Sequence, residues 1–215
     1  MDIKQIKYEL QNLISGKSGA SYDALIQAVA SHLRSGKRTS PMAKEKHQNK
    51  AQETEELIDF AKSNNLILEH IPEERFIASG AEQKVYITGD KYVIKLNDAI
   101  YYASWEDYFY NLLLHNYFFS DTAYQFLGFY LAENTLYAVV QQPYIKADSM
   151  TDLGQVEKFM AANGFKNKRR NDYENESLGL IVEDLHDENV LSAEGMLHFI
   201  DTVFYIKPDT FWNEK

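Results

Sequence analysis

Between residues 75 and 141 the chain strings short β-rich runs around a single strongly periodic helix, and the order of these pieces restricts the fold sharply. The runs 75–78, 84–88 and 92–96 are dominated by β-branched, aromatic and other apolar residues, with Gly89-Asp90 as a turn before the third. They predict a meander of three strands. From 104 to 119, Trp105, Tyr108, Phe109, Leu112 and Leu113 recur at i, i+3, i+4, i+7 and i+8, the spacing of one buried helical face. Residues 126–131 and 136–141 then read as two more strands joined through Glu133-Asn134. The expected order is three strands, a helix and two strands.

The flanks are less regular. Ile3, Ile6, Leu10 and Leu13, then Leu25, Ile26, Val29, Ala30 and Leu33, fall at helical intervals on either side of Ser15-Gly16-Lys17-Ser18-Gly19, which predicts two short helices and a turn. Gly16-Lys17-Ser18 imitates the end of a phosphate-binding loop, but Gln11 stands where the first glycine belongs and no apolar strand precedes it. Residues 35–52 are polar and basic and read as a linker or solvated extension, so a boundary is expected near residue 50, with 1–50 as a helical, basic extension and 51–215 as the main domain. Residues 54–64 return to a helical pattern. After Pro143 the chain reads as helical and polar to Glu176, followed by two apolar runs, 178–182 and 197–200, each leading into a carboxylate.

Charge narrows the partners. The 215 residues carry a formal charge of −10, yet residues 1–50 hold nine basic against four acidic side chains. An acidic body repels nucleic acid and anionic membranes, so only the basic arm (Lys37-Arg38, Lys44, Lys46, Lys50) is suited to a polyanion, and the aromatics from Tyr101-Tyr102 to Phe119 are expected in the core. The absence of cysteine excludes disulfides and thiolate chemistry. No apolar run approaches the roughly 20 residues of a membrane span, and the N-terminus lacks a signal-peptide core, so a cytoplasmic location without membrane contact is expected.

Phosphoryl transfer needs a cation on the phosphates, oxygen ligands for a metal and a carboxylate for the acceptor hydroxyl. The chain offers each in order. Ser79-Gly80 form a small-residue turn between strands, Lys95 stands in the apolar strand Tyr92-Val93-Ile94-Lys95-Leu96, Asp184 and Asn189 lie five residues apart, and Phe199-Ile200 runs into Asp201. Taken singly, Lys95 reads as an edge lysine with its ammonium in water, Asp184 and Asn189 as turn residues, and Asp201 as a strand end. His115 and His186 read as hydrogen-bonding histidines rather than metal ligands.

In combination these motifs resemble the protein-kinase-like superfamily, and most closely the kinase-like domain found in polyvalent proteins of phages and conjugative elements. Trp105, Leu114-His115-Asn116, Gly128-Phe129, Gln142-Pro143, Asp184-Leu185-His186, Asn189-Val190-Leu191 and Ile200-Asp201 carry the resemblance, over residues 55–208. It implies an α+β, two-lobed protein-kinase-like fold with a reduced C-lobe and an N-terminal helical extension, and it implies ATP and Mg²⁺ as cofactors. By the same resemblance Lys95 contacts the phosphates beneath a loop at Ser79 and Gly80 and pairs with a helix glutamate, Asp184 is the catalytic base, Asn189 and Asp201 hold the metal, and Gln141, Gln142 and Tyr144 line the adenine. Helical angle places Glu106 near Phe109 and Leu113 on the apolar edge and turns Asp107 away, so Glu106 is the expected partner of Lys95.

Departures from the pattern set the alternatives. Gly80 is alone where three glycines are usual, Val182-Glu183 precede Asp184 in place of His-Arg, and Asp201-Thr202-Val203 replaces Asp-Phe-Gly. Fourteen residues after Asp201 are too few for an activation segment and peptide platform. Two readings follow: an ATP-dependent phosphotransferase of unidentified acceptor, or a pseudokinase-like module of a mobile element that binds nucleotide or a protein partner without turnover.

Overall fold

A computed structural model of the protein describes residues 2–17, 23–37, 46–80 and 83–207. Three helices open it: α1 (Ile3–Ile14), α2 (Ala24–Lys37) and α3 (Lys46–Ser63). Asp2 caps α1 by accepting the Lys4 N–H at 3.0 Å. Helix α3 stops where Asn65 turns left-handed (φ 56°) and the Leu66 N–H reaches back to the Ala61 carbonyl at 2.8 Å, a closure that asparagine tolerates. The expected linker at 35–52 is therefore shorter at both ends; its middle, 38–45, with Arg38 and Lys44, lies outside the described residues. Its polar composition misled because α3 buries only a narrow stripe, Glu53, Leu57 and Ala61. Lys50 lies against the body, its ammonium donating to the Ala99 and Tyr102 carbonyls.

The central sheet is antiparallel in the order β1-β2-β3-β5-β4, from β1 (Phe76–Ser79), β2 (Gln83–Thr88), β3 (Tyr92–Asn97), β4 (Gln125–Ala132) and β5 (Thr135–Pro143). Glu133 and Asn134 both take positive φ (49° and 68°), the two-residue turn whose twist suits a hairpin. Between β3 and β4 runs α4 (Trp105–Phe118), capped by the Ser104 hydroxyl, which accepts the Asp107 N–H. A single apolar face was expected for this helix, yet all positions from Tyr108 to Asn116 are buried. The extra burial comes from α1–α3, which pack on α4 and join one continuous core with the sheet. Trp105, Phe109, Phe126 and Phe129 meet edge to face at its centre. Tyr102 belongs to this core, whereas Tyr101 lies at the surface.

Among the described residues beyond β5 one helix forms, α5 (Leu153–Ala162). The polar stretch expected to be helical folds instead as a hairpin, β6 (Lys166–Arg169) with β7 (Asp172–Asn175), in which Tyr173 and Asn175 point inward while every β6 residue is exposed. An edge strand of Lys and Arg carries no apolar alternation, which hid it. Then come β8 (Leu180–Glu183), β9 (Val190–Ala193), β10 (Met196–Phe199) and β11 (Val203–Ile206), forming an antiparallel β11-β8-β7-β6 sheet and a β9-β10 hairpin. The architecture is α+β, helices with antiparallel sheets. Among the described residues no helix is long and apolar enough to cross a membrane.

Candidate functional site

Two ladders bring the chemistry together. β8 ends at Glu183 opposite Val203, the first residue of β11, so Asp184 and Asp201-Thr202 leave the same end of that pair. The β9-β10 hairpin closes on Val190 opposite Phe199, and just beyond it the Asn189 carbonyl accepts the N–H of Ile200 at 2.9 Å and approaches that of Asp201 at 3.4 Å. Asn189 and Asp201 thus sit side by side although eleven residues separate them. The Asn189 amide donates to the Asp184 carbonyl and to Asp184 Oδ2, both at 2.9 Å.

Asp184 itself holds a left-handed backbone (φ 69°), unusual without glycine, and its N–H is accepted by Asp172 Oδ1 at 3.2 Å. His186 Nδ1 accepts the Glu188 N–H, which leaves the ring proton on Nε2, 3.3 Å from Asp184 Oδ1. Each oxygen of the Asp184 carboxylate therefore faces a donor. The carboxylate also borders a cavity of about 370 Å³ lined by Tyr101, Tyr102, Asp172, Glu183, Val203 and Tyr205. Burial, and then the charges of Asp172 and Asp184, push the Glu183 carboxyl up.

Lys95 reaches this assembly from the sheet. Val85 and Val140 stand directly opposite it on β2 and β5, and the next pairs along place Ile87, Val93 and Gln142 on the same face. The lysine is 5% exposed, far from the solvated edge position it would take by default. Its ammonium donates to the Ile200 carbonyl at 2.8 Å, lies 3.8 Å from Asp201 Oδ2 and hangs over the Tyr124 ring. Burial pulls its pKa down, and the Asp201 charge opposes that shift.

Glu106 is not brought to Lys95. Its carboxylate accepts the Tyr110 hydroxyl, which Arg34 of α2 approaches at 3.3 Å, so it belongs to the face turned toward the N-terminal helices. Helical angle alone could not separate the two faces because both are buried. Ser79 and Gly80 end β1 at the surface, with the Gly80 N–H donating to the Gln83 carbonyl; residues 81 and 82 of the expected loop lie outside the described residues. Gln142 is buried on the Lys95 face but its amide donates to the Thr122 carbonyl at 2.7 Å. Gln141 points to the opposite face, into a cavity of about 380 Å³ shared with Asp23, Asn116 and Pro143. The Tyr144 N–H is taken by the Lys91 carbonyl at 2.8 Å, which prolongs the β3-β5 ladder past Pro143.

Sequence reasoning missed a polar network behind Lys95. The Tyr124 hydroxyl donates to the Ile200 carbonyl at 2.8 Å, the Gln83 amide donates to Asp201 Oδ2 at 2.8 Å, and Thr122 Oγ1 donates to the Phe199 carbonyl. His115 is fully buried, with Nδ1 2.8 Å from the Thr202 hydroxyl and Nε2 3.0 Å from the Thr122 carbonyl. Burial drives its pKa down to about 3, so the ring is neutral. The one signal in the sequence was polar residues, Asn111, His115 and Asn116, inside an otherwise apolar helix; Asn111 accepts the Phe204 N–H at 2.8 Å and ties α4 to β11.

Residues 50–208 match the family described as serine/threonine/tyrosine kinase found in polyvalent proteins. The chain belongs to this family. The match begins inside α3 and encloses both ladders and Lys95, in line with the resemblance carried by the motifs. Neither curated proteins nor solved structures gave a match.

Membership of this family implies nucleotide and metal in general, and the donor set of this chain fits a hard cation. Asp201 keeps a carboxylate 39% exposed beside Asn189, whose amide oxygen accepts no hydrogen bond among the described residues. No group of three or more His, Asp or Glu side chains forms a closed cage among those residues. One carboxylate and one amide oxygen, completed by water and phosphate oxygens, is the kind of set that suits Mg²⁺.

Proposed function

We propose that this kinase domain transfers the γ-phosphoryl group of ATP to a hydroxyl acceptor, with Mg²⁺ held by Asn189 and Asp201. The observation that carries this reading is the convergence of Lys95, Asp201, Asn189 and Asp184 through one chain of contacts at the ends of two ladders. The central sheet acts as the upper lobe, and α5 with the later strands as a reduced lower one. The partly apolar face of Val85, Ile87, Val93 and Val140 supports the purine, with residues 141–144 along its edge and Ser79 and Gly80 opening the loop above the phosphates. Lys95 places its charge on the phosphate oxygens. Asp184, its carboxylate oriented by His186 and Asn189, accepts the hydroxyl proton as the acceptor oxygen bonds to the γ-phosphorus. The bond to the β–γ bridging oxygen breaks and ADP leaves.

Thermal unfolding with and without Mg-ATP tests the nucleotide half. A ligand at 100 times its Kd adds about 2.7 kcal/mol, which for a domain of this size raises Tm by about 5–10 °C. Loss of the shift in Lys95→Ala is expected, and no shift in the wild type with any nucleotide refutes the reading. Turnover on Ser/Thr/Tyr peptides and small hydroxyl compounds should drop at least about a hundred-fold in Asp184→Asn. Binding without turnover on any acceptor assigns the chain to the non-catalytic alternative.

A further inference from the structure

Lys95 has its carboxylate partner in Asp201, and among the described residues no other carboxylate lies within 4 Å of its ammonium. What holds Asp201 then decides where both groups stand. Gln83 is the first residue of β2, and its carbonyl accepts the Gly80 N–H at 2.8 Å, which ties its backbone to the residue that follows β1. Its side chain crosses 118 residues of sequence to donate to Asp201 Oδ2 at 2.8 Å. Among the described residues the other oxygen, Oδ1, has only a 3.5 Å approach from the Tyr124 hydroxyl, whose shorter bond, 2.8 Å, goes to the Ile200 carbonyl.

We propose that Gln83 is a positioning residue for the metal-side aspartate: it occupies Oδ2 and turns Oδ1 toward the cation. This rests on the nucleotide-and-metal reading given above and adds to it the device that sets the carboxylate. The choice of side chain fits the task. A neutral amide donates one hydrogen bond without cancelling the negative charge that a cation needs, as a lysine there would, and without adding a carboxylate that would compete for it.

The test measures ATP affinity by calorimetry in EDTA and across a Mg²⁺ titration, for wild type, Gln83→Met and Gln83→Ala. Methionine keeps the length of the side chain and removes the donor. The Mg²⁺ concentration for half-saturation should rise about ten-fold in both variants, the worth of one hydrogen bond to a charged acceptor, while ATP affinity in EDTA stays within about two-fold of wild type. A structural role alone would lower both affinities together or leave both unchanged, and either pattern overturns the proposal provided the wild type binds Mg-ATP. If the wild type binds no nucleotide, the functional reading itself fails and the role of Gln83 falls with it.

Discussion

Gly128 offers the sharpest stability prediction. It pairs with Val139 just after the bulge that separates it from Phe126 in the β4-β5 ladder, with φ at 141°, and a Cβ built there would lie 2.4 Å from the Leu66 carbonyl oxygen. That carbonyl accepts the Phe129 N–H at 2.7 Å, and the Phe129 carbonyl accepts the Leu68 N–H at 2.7 Å, so the segment after α3 is stitched to β4 at this point. In Gly128→Ala the backbone must leave a region that alanine enters only at a cost of roughly 1–3 kcal/mol, or push residue 66 away. Moving it disrupts two backbone hydrogen bonds worth about 1 kcal/mol each. Where both occur the loss is about 3–5 kcal/mol, which at 2–4 °C per kcal/mol lowers Tm by roughly 6–20 °C. Circular dichroism melts supply the number, and urea titration should show a lower midpoint with an unchanged slope. A variant melting within about 2 °C of wild type would falsify the argument that backbone contact with Leu66 demands glycine.

Two further expectations concern α4 and its approaches. His115, at about 6.5 unfolded and about 3 folded, takes a proton more readily when the chain unfolds, so stability falls as pH drops from about 6.5 toward 3. Between pH 6.5 and 5 this costs up to about 2 kcal/mol, and His115→Asn should lack that component; equal pH slopes in the two proteins contradict a neutral buried ring. Lys50→Met keeps the aliphatic stem but leaves the Ala99 and Tyr102 carbonyls without their charged donor, next to a left-handed Ala99, and should cost about 2 kcal/mol. An unchanged melting temperature there would mean that α3 is not tethered through this lysine.

The central sheet was legible because its signals are local. Period-2 runs, a Gly-Asp turn and Glu133-Asn134 specify strands and their joints without reference to anything distant. Asp184, Asn189 and Asp201 could be singled out by their spacing, whereas the β9-β10 hairpin whose open end sets Asn189 beside Asp201 was not foreseen. Long-range pairing was not legible. Lys95 finds Ile200 and Asp201 more than a hundred residues on, and Gln83 and Tyr124 enter the site only through the same long-range fold. Glu106 was misdirected because amphipathic reasoning assumes one wet face, and α4 has none. The β6-β7 hairpin escaped because its outer strand, Lys166-Asn167-Lys168-Arg169, reads as solvated surface whether it is a strand or a helix.

The double burial of α4 also limits how the site can be governed. A helix used as a lever needs one side whose contacts can be exchanged for water at little cost. Here one side carries Tyr108, Asn111 and Leu112 against the Lys95 region, and the other is occupied by α2, with Trp105 donating its backbone N–H to Glu53 and its indole N–H to Thr54 of α3. Swinging it outward would strip both sides at once and part the core that joins it to the three N-terminal helices. A framework braced in this way holds Lys95 and its neighbours in place before any ligand arrives, and leaves control to what binds beside them.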